Sequence, residues 1–531
     1  MPLLRTLVLN IASNWAGYGV QTVVAFFLTP FILRSLGETR YGVWILVMGL
    51  TGYYGLLDLG LSAGITQYLT RYRAAQNIGK LNQTASTGFL ALTCCGVVVF
   101  IGSLAVALNA SFLFQISQES ATEVALVILI TGISAAMQFI FFTYSAVFTA
   151  VQRFDLSNAI GIATRLVSAA ATVLCLNLGY GLVGLSLVLA GTNLMDYLLR
   201  WRVSTRLLPS MKISLKLATP RNLSEVLKFG LWNTAITASV RLISYTDAIV
   251  IAAFMPVSAV APFALAASMR SYFEDIFVRA GFVFFPAATE LDAKGDQEGL
   301  RTLYLVSSKF MLLGSILCGS LAIYWARDFF RLWIGSAYAE PAGYPSIAVL
   351  FYLLVLGSMV SVAQRIGYQV LLGIRKVGLL AALFAIEGVS NLLASVILIR
   401  NYGLLGVALG TLFPAVIVQG FLQPFVVCRA LQISLITYCR KVLVRPALVL
   451  LVLVPVLLVS TVADRADDWL TLFLRASVSF AVAGPVVLLI GLDKLERNML
   501  WRSTSEFLTN FALLIFVRRR VASAPVKNKS F

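Results

Sequence analysis

The chain contains no histidine, and that single absence removes several functions together. Imidazole is the side chain that titrates near neutrality and the commonest protein metal ligand. A Ser/His/Asp constellation and a His-built metal site are therefore excluded, and a proton relay has only Asp and Glu to use. Charge is also scarce, with Asp, Glu, Lys and Arg making up 12% of the 531 residues. There is no G-x-x-x-x-G-K-[ST] run, and no hydrophilic stretch is large enough to house a nucleotide-binding domain. Energy for any work must then come from an ion gradient or from the substrate's own gradient. The few acids do not cluster for hydrolysis, so neither catalysis nor a cofactor is expected. The six cysteines (Cys94, Cys95, Cys175, Cys318, Cys428, Cys439) lie in or beside apolar runs and read as small core residues, not as bridges or metal ligands.

What the chain has in abundance is apolar surface: 59% of residues are hydrophobic and the mean hydropathy is +0.89. That defines an integral membrane protein. Continuous apolar runs of about 20 residues point to helices, because backbone amides cannot stay unpaired in lipid and barrel strands would be shorter and alternating. Residues 1–10 carry one Arg and lead into such a run without a small-residue cleavage site, which predicts a mature N-terminus. Fourteen spans are expected: residues 8–33, 42–68, 84–108, 122–150, 157–177, 181–199, 226–255, 257–288, 302–325, 344–372, 376–399, 403–428, 442–462 and 470–492. The net charge of +18 would suit nucleic acid or a membrane surface. Its distribution decides: of the 41 Lys and Arg, 29 fall on the side of the two termini, seven on the other side and five within spans. Basicity is topology here, with both termini cytoplasmic and no nucleic-acid partner.

The chain also repeats itself. Tyr180-Gly-Leu-Val-Gly-Leu-Ser-Leu recurs as Tyr402-Gly-Leu-Leu-Gly-Val-Ala-Leu at an offset of 222, and the same offset carries Arg153 onto Arg375. A looser register of 219 matches Trp44 with Phe263, Tyr53 with Tyr272 and Tyr54 with Phe273. The expected fold is all-α: an N-lobe of six spans (1–199), a basic hinge-like linker (200–228) and a C-lobe of six spans (229–430). The lobes should be related by a pseudo-twofold along the membrane normal with a cleft between them. Two extra helices (431–492) and a basic tail (493–531) follow. Within the tail, residues 507–517 are too short to span. With Arg518-Arg519-Arg520 behind them they suit an interfacial helix on anionic membrane lipids, a disordered tail being the alternative.

Charges inside spans mark function, because an ionisable group at that depth normally faces a water-filled cavity or a partner. Asp58 lies in the apolar stretch 37–73, and Arg241 and Arg270 lie near the centres of spans 7 and 8, with Arg279 nearer the cytoplasm. Arg165 and Arg365 are close enough to span ends to snorkel. Arg270/Glu274 and Asp275/Arg279 are i,i+4 pairs, so they either neutralise each other or keep donors free for a phosphate. Arg241 has no carboxylate at that spacing, which favours an external anion. Asp58 and Asp247 are the candidate ion-coupling carboxylates. The 222 offset places Arg165 on Glu387 and predicts an ion pair between spans 5 and 11. Tyr53, Tyr54 and Tyr272 flank the charged region, where they would stack on sugar rings or face lipid.

The segment LGETRYGVWILVMGLTGYYGLLDLGLSAGITQYLTRY, with residues 30–34 before it and FPAATELDAKGDQEGLRTLY later, resembles the polysaccharide transporters of the MOP flippase superfamily, the Wzx-like oligosaccharide flippases. The resemblance implies a V-shaped pair of six-helix bundles that alternates between inward-open and outward-open states. It implies a cargo of oligosaccharide on undecaprenyl pyrophosphate, crossing a bacterial inner membrane, with polysaccharide polymerase and glycosyltransferases as partners. It also implies a cationic cavity for the head group, matched by position in Arg241, Arg270 and Arg279. Fourteen spans are more like the longer polysaccharide transporters and the MurJ-type lipid II flippases than the twelve-span drug exporters. In MurJ-like proteins the last two helices hold the lipid tail. A multidrug exporter of the same superfamily, a lipid II flippase, and a non-transporting scaffold of a polysaccharide assembly complex are the other readings.

Overall fold

The computed structural model describes residues 2–110, 118–459 and 466–498; the expected interfacial helix at 507–517 lies outside them. Ten helical stretches are long and apolar enough to cross a bilayer. Two of these, Ser13–Asp58 (46 residues) and Val377–Ala430 (54 residues), would measure about 70 and 80 Å if straight, more than twice a hydrocarbon core. Each is broken at a glycine in the left-handed region, Gly37 (φ 76°) and Gly403 (φ 54°), and so supplies two crossings. Val260–Gly281, span 8, is the charged helix that carries Arg270, Glu274, Asp275 and Arg279, and Val444–Val459, span 13, has 16 residues. With these two the described residues hold the fourteen crossings, all helical.

The internal repeat is visible in matched turns. Gln76 (φ 53°) and Gly295 (φ 70°) close equivalent turns, each followed by a side chain that caps the next helix: Asn77 accepts from the Lys80 amide at 3.0 Å and Asp296 from the Gly299 amide at 2.8 Å. Both pairs stand 219 apart, as the sequence register predicts. Further along, Gln152 (φ 57°) matches Arg375 (φ 59°), and the hydrogen bond from Arg153 to the Phe148 carbonyl matches that from Lys376 to Leu371. That register is 223, not 222. It returns to 222 at Gly181 (φ 59°) and Gly403 because the first copy has one more residue in the turn, where Gly179 (φ 80°) stands. Across spans 5 and 11 the equivalent of Arg165 is therefore Gly388. Glu387 sits about 100° round the helix from that position.

Span 2 also differs from a continuous run over 42–68. The helix ends at Tyr54, makes a 3-10 turn over Gly55–Asp58, and restarts as Leu61–Ala74 after Leu59 (φ 47°) and Gly60 (φ 76°). The break lets two backbones meet: a Cβ on Gly60 would run into Gly230 of span 7, and one on Gly64 into the Val226 carbonyl. Span 8 likewise stops at Gly281 and resumes as Phe284–Ala293.

The hydrophilic connection of 200–228 is mostly helix, since span 6 runs to Leu207 and span 7 starts at Pro220. The remainder is tied to span 3 (Ile78–Leu108) and is no free hinge. The amides of Lys212, Ser214 and Thr219 donate to the side chains of Asn82, Ser86 and Thr87 at 2.8, 3.0 and 3.2 Å. Spans 13 and 14 (Trp469–Val486) pack on span 9 (Gln297–Ile334). Lys309 of span 9 reaches Glu496 past the end of span 14 at 2.5 Å. Large apolar side chains such as Phe421 (69% exposed) and Leu451 (70%) face outward, as lipid-facing helices require.

Candidate functional site

Two adjoining cavities open where span 2 faces spans 7 and 8. The first, 530 Å³, is walled by the broken end of span 2, by Gln138, Phe139 and Phe142 of span 4 (Gln118–Ala150) and by Thr237, Arg241 and Tyr245 of span 7. The glycines of span 2 make room for it. A Cβ on Gly52 would meet the Tyr245 ring at 2.7 Å, and one on Gly55 would fall on the Arg241 guanidinium. Arg241 donates to the Gly52 carbonyl and makes no ion pair with a described residue, although Asp58 lines the same cavity. Asp58 instead accepts from the Ser62 amide at 3.0 Å and its hydroxyl at 2.6 Å, capping the restarted helix. It thus has a structural task at the break, with its second oxygen left over. Tyr54 is on the same wall and takes the Ser103 hydroxyl at 2.7 Å.

The second cavity, 400 Å³, shares Met48 and Tyr245 with the first and is lined by Asp247, Arg270, Glu274 and Asp275. Here the neutralising alternative holds for one pair: Arg270 sits 3.4 Å from Glu274, whose Oε1 also accepts from Ser358 at 2.5 Å. Asp275 and Arg279 do not pair with each other. Both engage Tyr18 of span 1: its hydroxyl donates to Asp275 at 3.2 Å and the guanidinium lies 3.6 Å from its ring centre. Arg279 therefore lines neither cavity and forms a cross-lobe contact, worth about 2 kcal/mol where desolvated. Tyr53 is also committed, hydrogen-bonded to the Thr246 hydroxyl, and Tyr272 lines neither cavity.

Asp247 heads a group that charge patterns alone do not reveal. It is 8% exposed, and its Oδ2 lies 3.4 Å from the Thr411 hydroxyl, which in turn takes the Asn391 amide at 3.2 Å. Ser395 is one helical turn beyond Asn391 on span 11. Three buried oxygens of this group, Asp247 Oδ1, Asn391 Oδ1 and Ser395 Oγ, have no hydrogen-bond partner among the described residues. Leaving such a group unsatisfied costs about 1–3 kcal/mol each, and oxygens alone are what a hard monovalent or divalent cation requires. The carboxamides and hydroxyls of spans 11 and 12 carry no charge and sit in apolar runs, so only their rarity there would have flagged them.

Arg165 and Glu387 are not brought together. Arg165 is exposed, whereas Glu387 is buried (6% exposed) and accepts from the Gln419 amide. The pairing inferred from the 222 offset fails because the true register is 223 across these helices, which turns the two side chains onto different faces. Glu387 instead joins a small C-lobe cavity of 130 Å³ with Arg270, Glu274 and Arg365, two cations against two anions.

Two six-span lobes, a two-helix appendage and a polar cleft between spans 2, 7 and 8 make this a multi-pass helical membrane protein with a cavity at the junction of its lobes. The chain belongs to the family described as "Polysaccharide biosynthesis protein", whose sequence profile matches residues 7–292. Among relatives, the membrane protein EpsK of Bacillus subtilis is 20% identical over 341 residues, 63% of this chain and 66% of that protein. A Shigella flexneri protein named "Putative O-antigen transporter" is 29% identical over 90 residues, 17% of this chain and 22% of its own length. These alignments thus span less than two thirds of either relative. Among solved structures, the lipid II flippase MurJ in an inward closed conformation superposes with a TM-score of 0.68 over 90% of this chain and 98% of its own, at 13% identity. An inward-facing multidrug resistance MATE transporter gives 0.62 over 77% and 95%, at 15% identity. At such identities these structures bear on the fold.

Proposed function

We propose that the protein translocates an oligosaccharide carried on undecaprenyl pyrophosphate across a bacterial inner membrane, by alternating access of its two lobes, with the basic face cytoplasmic. The observation that carries this reading is Arg241, a cation that lines the cavity between the lobes and has no carboxylate partner among the described residues. A guanidinium offers the planar fork that a phosphate takes in a bidentate way. Drug cations would want the opposite sign at this place, which argues against the multidrug reading. Tyr54 and Gln138 on the same wall supply a hydroxyl and an amide for sugar. Arg270 contributes to the field but is half neutralised by Glu274.

Ion coupling belongs with Asp247 more than with Asp58 on this reading. Asp58 is occupied as a cap, while Asp247, Asn391, Ser395 and Thr411 hold oxygens that a sodium ion or proton would satisfy. The test is the purified protein in liposomes, with lipid-linked glycans placed in one leaflet and their appearance in the other scored with and without a sodium or proton gradient. Movement of O-antigen-type carriers in preference to lipid II supports the reading. Movement of lipid II alone supports the MurJ-like alternative, and no movement of any undecaprenyl-pyrophosphate sugar overturns transport.

A further inference from the structure

The largest of the cavities described, 600 Å³, lies away from the lobe cleft, on the basic face, where the start of span 9 meets the start of span 13 and the end of span 14. Its acids are already engaged. Glu298 pairs with Arg301 at 3.5 Å, and Glu496 holds Lys309, itself 4% exposed, at 2.5 Å. Asp493 and Glu496 accept each other's backbone amides, both at 2.9 Å. Three cations on the same lining are left over: Arg440, Lys441 and Arg445 make no hydrogen bond or ion pair among the described residues. Arg445 has Asp493 as a charged neighbour without forming an ion pair with it. Arg440 and Lys441 stand on a π-helical turn, Cys439–Leu443, a local widening of the helix that is frequent at functional sites.

The rim of this cavity is apolar and open. Ile436 is 80% exposed and Leu495 76%, on either side of the cations. A soluble anion would use the cations and leave these side chains in water. We infer that this cavity binds the head group of an anionic phospholipid of the basic-face leaflet, its phosphodiester on Arg440, Lys441 and Arg445 and its acyl chains along Ile436 and Leu495. Basic pockets between transmembrane helices at the leaflet surface take such head groups. The segment of the chain that follows, residues 499–531, does not complement the site: it has one acidic side chain, Glu506, against six Lys and Arg. The inference does not depend on what the lobes transport.

The test uses the full chain in mixed micelles containing phosphatidylglycerol and phosphatidylcholine in equal amounts, with bound lipid read by native mass spectrometry. The expected result is an excess of bound phosphatidylglycerol that falls in the variant Arg440→Gln/Lys441→Gln/Arg445→Gln. At about fivefold for each cation near a leaflet surface, the loss is on the order of a hundredfold. If that variant does not fold, Arg440→Gln alone should lose about fivefold, and Arg440→Lys/Arg445→Lys should keep the preference. An undiminished preference in these Gln variants, or an equal loss when Arg202, Arg206 and Arg221 are replaced by Gln instead, overturns the site. So does complete displacement of the lipid by millimolar inorganic phosphate, which would mark a plain phosphate site, or the lack of any preference in the wild type.

Discussion

Arg241→Ala is the perturbation that bears most directly on the transport reading. The guanidinium gives one bond to the Gly52 carbonyl and lines the 530 Å³ cavity, with its Nε buried and unpartnered among the described residues. A phosphate oxygen pair would take two charge-assisted bonds, each worth about 1.5 kcal/mol at the lower end. Truncation should therefore lower affinity for undecaprenyl pyrophosphate by about 3 kcal/mol, on the order of a hundredfold. Arg241→Lys keeps the charge but not the fork, and should lose about tenfold. The assay is binding of the detergent-solubilised protein to undecaprenyl pyrophosphate, followed by leaflet exchange of the glycan-bearing lipid in liposomes. An unfolding midpoint measured in the same detergent separates loss of binding from loss of fold, because the Gly52 bond also joins span 7 to span 2. A folded Arg241→Ala protein that binds and exchanges as well as wild type would refute the cavity as the head-group site.

Four further outcomes follow from the geometry. Asp247→Asn should abolish the gradient dependence of exchange while leaving undecaprenyl-pyrophosphate binding within about threefold; gradient dependence that survives removes Asp247 as the coupling group. Gly230→Ala forces a methyl against Gly60 where the backbones cross, and should destabilise by about 1–3 kcal/mol. Gly191→Ala, whose Cβ meets nothing within 4 Å, should be neutral or slightly stabilising in the same thermal unfolding series. Replacing Arg165 and Glu387 singly and together should give additive changes in stability within about 0.5 kcal/mol, since they form no pair; a coupling above about 1 kcal/mol would restore the cross-helix ion pair.

The crossings were legible because bilayer thickness imposes a length on apolar runs, and the charge asymmetry of the connections then orders them. The repeat was legible too, but only where it is printed in residue types. Arg153 falls on Arg375 by coincidence of composition, while the turns that are equivalent in space lie one residue away, and a single residue in the turn at Gly179 is enough to mislead. In a helix one residue is about 100°, so an error invisible in an alignment puts a charge on the wrong face. The break in span 2 was hidden for a different reason. Its cause is tertiary: Gly55 and Gly60 are bare because Arg241 and Gly230 occupy the space their side chains would need.

The same distinction explains which site residues were foreseen. Arg241, Arg270 and Asp247 announce themselves as charges where charge is costly. Whether each is paired depends on neighbours from other helices, and so Arg279 proved to be a contact to Tyr18 and Tyr53 a partner of Thr246. Asn391, Ser395 and Thr411 give no such signal, since a hydroxyl or amide in an apolar run can satisfy itself locally. Only the orphaned oxygens around Asp247 single them out.

Span 7 ties these observations together. Its first half is packed against the N-lobe through Gly230 and Val226, whereas its second half carries Asp247 against spans 11 and 12. Between them Arg241 and Tyr245 face the cavity, and Tyr245 lines the neighbouring one that Asp247 also lines. Arg241 and Asp247 are six residues apart, about 9 Å along the axis and about 120° round it. An anion and a cation bound at the two would not touch, so direct charge compensation cannot be the coupling. A helix is stiff over that distance. On the proposed function, closing oxygens around a cation at Asp247 would shift or rotate span 7, and with it the guanidinium proposed to hold the head group. On this argument the crossing at Gly60 and Gly230 is the fulcrum, the place where side chains would block the motion and where the sequence has none on either strand of the contact.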